Sequence, residues 1–110
     1  MLVPDLMFAT RIEDAAKHLG YQIHSFNSSE EAVAAFARVS PALLVVSLDA
    51  AERESAVKVA KRAGAHVLAF GSHKNVQAMQ AAKAAGCDEV VARSRMASEL
   101  PNLLKKYAEQ

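Results

Sequence analysis

The polar side chains that could form a reactive or binding site stand directly after apolar runs of the sequence. They carry carboxylate, hydroxyl and guanidinium groups, and they are Asp5, Ser47, Asp49, Ser72 and Arg93. Magnesium prefers oxygen ligands and often takes one or two carboxylates, so Asp5 and Asp49 are the candidates for a metal site. Asp49 also begins the sequence Asp-Ala-Ala-Glu, which is typical of a helix N-cap. The capping interpretation is preferred, so we expect neither magnesium nor any other cofactor.

A second group of polar residues could hold an anion. It consists of Ser72, His73, Arg93 and Arg95. A helix that begins near Ser72 would add free backbone N–H groups, which favour anions at helix N-termini. The alternative is that Ser72 only caps this helix and that both arginines are solvated, and this alternative is preferred. The stretch FGSHKN contains one glycine and matches neither a GxGxxG nor a Walker motif.

Other catalytic arrangements lack support in the sequence. The four histidines lie in four different predicted elements, and no two of them have helical spacing for a shared metal. No serine lies in a GxSxG elbow, and the one cysteine, Cys87, has the setting of a half-buried structural thiol. We therefore expect a protein that is not an enzyme.

The elements that position these residues alternate regularly along the chain. Apolar runs rich in β-branched residues predict five strands, near residues 1–4, 21–25, 42–47, 66–70 and 89–92. Helical stretches lie between them. Ser28 and Glu31 form a capping-box pattern at the start of the second helix. Three glycines, Gly20, Gly64 and Gly86, stand where left-handed C-terminal caps are expected.

Alternating strands and helices predict an α/β fold with a mostly parallel sheet. Five strands favour a three-layer, doubly wound, flavodoxin-like arrangement with strand order 2-1-3-4-5 over a closed barrel, which needs about twice the length. The 110 residues suit a single domain, 1–110. The third strand would be central, since Leu43 to Val46 is apolar throughout, as burial on both faces requires.

Composition limits the partners. The formal net charge is +1, which gives no support for nucleic-acid binding. No apolar run is long enough to span a bilayer, and residues 1–5 lack the basic start and long apolar stretch of a signal peptide. We therefore expect a soluble, cytoplasmic protein that binds neither nucleic acid nor membranes.

Five stretches of the chain resemble the receiver domain of bacterial two-component response regulators, the family of the chemotaxis regulator. They are HLGYQI, SSEEAVAAF, PALLVVSL, VLAFGS and AAKAAGCDEVVARS. The resemblance implies a signalling role and a pocket with defined groups: two acidic residues after the first strand that hold magnesium, a phosphorylated aspartate ending the third strand, a hydroxyl ending the fourth and a lysine ending the fifth.

The sequence departs from that pattern at nearly every position. Only Asp5 remains of the acidic pair, Ser47 stands at the phospho-acceptor position, and Ser72 keeps a hydroxyl. Arg93 or Ser94 stands near the lysine position. The resemblance therefore implies a pseudo-receiver with a degenerate pocket, which acts by protein–protein interaction without phosphorylation. The alternatives are a small-ligand or anion sensor at the edge with Arg93 and Arg95, and residual phosphorylation on Asp49 or Asp5.

The fourth predicted helix offers a candidate interaction face of small side chains, Ala78, Ala81 and Ala85. Small side chains lose little conformational entropy when a partner docks on them. In receivers the face formed by the fourth helix, fifth strand and fifth helix is the usual contact surface, so the resemblance implies binding to another protein or a homodimer there.

Overall fold

The computed structural model describes residues 1–109, which form three parallel strands and six helices. In chain order the elements are α1 Leu6–His18, α2 Ser29–Phe36, β1 Leu43–Ser47, α3 Arg53–Arg62, β2 His66–Gly71, α4 Val76–Ala84, β3 Glu89–Ala92, α5 Arg93–Ser98 and α6 Leu100–Ala108. Within these residues no helix combines the length and the apolar character needed to cross a membrane.

The sheet has the order β1-β2-β3, with β2 in the middle. Val45 of β1 lies opposite Leu68 of β2, and Phe70 of β2 lies opposite Val91 of β3. These three strands match the last three predicted ones closely. The carboxyl ends of all three therefore meet at one edge, where ligands bind in open sheets of this kind.

The five-strand order is not confirmed, because the first two predicted strands are reduced to isolated bridges. Leu2 makes parallel bridges to Val46 on one side and to Phe26 on the other. Pro4 has no N–H to donate, and Asp5 already caps α1, so no ladder continues beyond Val3. Residues 21–25 therefore run beside the sheet without forming a strand.

Helices cover both faces of the sheet, and each face has its own apolar core. Leu68 and Phe70 of β2 point into the core shared with α1, α5 and α6. Val67 and Ala69 point into the core shared with α2, α3 and α4. This alternation places apolar side chains on both faces of the central strand, as a three-layer structure requires.

The predicted helix signals are confirmed at four places. The Ser28 hydroxyl accepts a hydrogen bond from the N–H of Glu31 at 3.1 Å, at the start of α2. Gly20, Gly64 and Gly86 have φ values of 83°, 82° and 100° and follow α1, α3 and α4. A left-handed backbone at each of these glycines lets the chain turn sharply from a helix toward the next extended segment.

Candidate functional site

Ser47 ends β1 inside the protein rather than at an open pocket. Its side chain is buried, with 2% of the residue exposed. The Ser47 hydroxyl accepts a hydrogen bond from the backbone N–H of Asp49 at 3.1 Å. This bond closes a tight turn after the strand, so the Ser47 hydroxyl stabilises that turn.

Asp49 and Arg93 meet across the carboxyl edge of the sheet. The Arg93 guanidinium donates to the Asp49 carboxylate at 2.8 Å, which links the turn after β1 to the start of α5. The same guanidinium lies 6.0 Å from the ring centre of Phe8, near the limit for a cation–π contact. Because the two side chains are 62% and 42% exposed, this ion pair contributes at most about 1 kcal/mol to stability.

The prediction that Asp49 caps the third helix is wrong. Helix α3 begins at Arg53, and the residue before it, Glu52, has a left-handed backbone with φ of 53° and no capping side chain. Turns occupy the chain between β1 and α3, which keeps Asp49 four residues before the helix. Its carboxylate is thereby free to reach Arg93.

Asp5 is the residue that caps a helix. Its carboxylate accepts hydrogen bonds from the N–H groups of Met7 and Phe8, at 3.0 and 3.2 Å, at the start of α1. The two candidate metal ligands thus have separate roles, one in a cap and one in an ion pair. Within residues 1–109, no three His, Cys, Asp or Glu side chains come together as a metal site. The expectation that these two carboxylates hold no magnesium stays a prediction.

The prediction that Ser72 caps the fourth helix is also wrong. Helix α4 begins at Val76 and is capped by Asn75, whose side chain accepts from the N–H of Ala78 at 3.2 Å. The Ser72 hydroxyl accepts instead from the N–H of Lys74 at 3.2 Å, because a turn separates β2 from the helix. Ser72 therefore lies in a turn, three residues before the helix cap.

The predicted anion-binding residues have their own contacts in the structure. Arg95 pairs with Glu89 at 2.9 Å and with Glu99 at 3.0 Å, whereas Arg93 pairs with Asp49. His73 is exposed in the turn before α4. Anion binding by this group remains a prediction, and it would require arginines that already have carboxylate partners.

Sequence reasoning did not find a polar cluster at the opposite edge of the sheet. The Asp88 carboxylate accepts from the N–H of Val67 at 2.6 Å and from Lys61 at 2.9 Å, and it lies 3.4 Å from His66. Burial by itself would raise the pKa of Asp88, but the bonds from Lys61 and Val67 outweigh it and lower that pKa. Asp88 therefore ties α3 and β2 to the start of β3.

Replacing Asp88 with asparagine is expected to lower the free energy of unfolding by about 1–2 kcal/mol at pH 7. The pKa of Asp88 is lower in the folded state than in the unfolded state. The contribution of the Asp88 carboxylate to the free energy of unfolding is therefore complete at a pH above its unfolded-state pKa, and it is lost as the pH falls through its folded-state pKa. The difference between the two proteins should therefore be constant near neutral pH and shrink in acid. Urea unfolding at several pH values measures this.

The control for this comparison is Asp14→Asn, since Asp14 is exposed on α1 and has no ion pair within residues 1–109. That substitution should change stability by less than about 0.5 kcal/mol. An equal effect of both substitutions at pH 7 would contradict the role given to Asp88.

Cys87 is half-buried next to this cluster. Burial, with a smaller effect from the charge of Asp88, raises the pKa of its thiol to about 11. The thiolate form, which is the nucleophile, is therefore scarce at neutral pH. This agrees with the prediction of a structural cysteine.

Solved structures similar to this chain include receiver domains. The signal receiver domain of a protein described as a LuxO repressor, from Vibrio parahaemolyticus, superposes with a TM-score of 0.80 at 14% identity, over 98% of this chain and 86% of that one. The receiver domain of the sensor histidine kinase PA1611 from Pseudomonas aeruginosa, with magnesium in its active-site cleft, gives 0.79 at 19% identity over 99% and 95%. This chain has a receiver-like fold.

A further similar structure is a response regulator from Burkholderia pseudomallei with a phosphorylated aspartate, a calcium ion and citrate. It superposes with a TM-score of 0.77 at 17% identity, over 98% of this chain and 66% of that one. No protein-family model and no curated protein matches the sequence. At these identities the likeness establishes the receiver-like α/β architecture, and activity has to be argued from the residues.

Proposed function

We propose that this receiver-like domain is a signalling module that binds another protein, or itself, without being phosphorylated on aspartate. The observation that carries the proposal is the state of Ser47, which ends β1, is buried and accepts a hydrogen bond from the next turn. A serine hydroxyl cannot form the acyl phosphate that an aspartate forms. The neighbouring carboxylate, Asp49, is paired with Arg93.

The ion pair between Asp49 and Arg93 engages the first carboxylate that follows Ser47. The Arg93 guanidinium donates to this carboxylate at 2.8 Å. The pair joins the two outer strands of the sheet across the end of β2. We therefore infer that the domain works as a binding module, with no enzymatic role and no cofactor.

The proposed interaction face lies on α4. Ala81 and Ala85 are exposed on the side of this helix that faces α3, where they line a small cleft with Glu54. Ala78 is partly buried and packs against the core below. Val76, at the start of α4, is 55% exposed, which adds an apolar side chain to the same helix. This surface suits a protein partner or a second copy of the chain.

Homodimerisation through this face is tested by sedimentation equilibrium at millimolar concentration, with Ala81→Glu as the disrupting variant. A dimer that Ala81→Glu converts to monomer supports the self-association form of the proposal. A monomer at every concentration contradicts that form and leaves binding to a different protein.

The proposed absence of aspartate phosphorylation is tested by incubating the protein with acetyl phosphate and magnesium and then measuring its intact mass. We expect no added phosphoryl group, since Ser47 is buried and Asp49 is paired. An authentic receiver domain treated in parallel shows that the donor is active. Incorporation that disappears in Asp49→Asn would show that Asp49 is an acceptor and would contradict the proposal.

A further inference from the structure

We draw no further inference here: the strongest candidate, the small cleft between α3 and α4 that is lined by Val57, Ala81 and Cys87, belongs to the interaction face already proposed, and nothing in the structure shows what covers it.

Discussion

Replacing Ser47 with aspartate is expected to lower the free energy of unfolding by about 3 kcal/mol at neutral pH. Ser47 is 2% exposed, so an ionised carboxylate there would lose its hydration. Burial raises the pKa of such a carboxylate above its unfolded value. The destabilisation caused by this charge is therefore largest at a pH above the folded-state pKa of the new carboxylate. It shrinks as the pH falls, and it disappears below the unfolded-state pKa.

Two further variants separate charge from structure at this position. Ser47→Ala removes only the hydroxyl that accepts from the N–H of Asp49, and it should cost about 1 kcal/mol. Ser47→Asn adds a side chain of similar volume to aspartate but without the charge. The loss of stability in the Ser47→Asn protein should therefore not depend on pH. Denaturant unfolding from pH 4 to 8 compares the three. A stable Ser47→Asp protein at pH 8 would show that the end of β1 is an open, hydrated pocket.

Replacing Phe70 with alanine is expected to cost about 4 kcal/mol, which is a large part of the stability of a small domain. Phe70 is 1% exposed in the middle strand, and its ring stacks on that of Phe8 with centres 4.7 Å apart. The substitution would leave a cavity between β2 and α1. Thermal and urea unfolding measure the loss.

The matched control is Met7→Ala, on the same helix as Phe8. Met7 is 81% exposed, so removing its side chain should change stability by less than about 0.5 kcal/mol. A loss for Phe70→Ala of less than roughly 1 kcal/mol would mean that the rings of Phe8 and Phe70 do not form the packed core described here.

Local patterns were enough to predict the elements whose signals lie within a few residues. The three glycine corners and the Ser28 cap depend on backbone conformation and on neighbours three residues away, and all are confirmed. The strands of the sheet were predicted to within about one residue. For the segments around Leu2 and Ile23 the apolar composition indicated strands, but Pro4 and the missing ladder leave only isolated bridges.

The candidate site was harder to predict because its bonds join distant parts of the chain. Asp49 has a local cap pattern, yet its partner is Arg93, which is 44 residues away. Asp88 stands next to a glycine corner and matches no motif. Its carboxylate nevertheless accepts hydrogen bonds from Val67 and Lys61 and lies beside His66. No periodicity or motif specifies such pairs. They follow from the packing of α3 and of the strands that bring these residues together.

The measurement that tests the central claim most directly is the amide NMR spectrum of the protein before and after addition of magnesium and then beryllofluoride, which imitates a phosphoryl group on a receiver aspartate. Because Ser47 is buried, Asp5 caps α1 and Asp49 is paired with Arg93, we predict a well-dispersed spectrum that does not change. Shifts that cluster at Asp5, Ser47, Asp49 and Arg93 would show a working phosphorylation pocket and would contradict the proposed function.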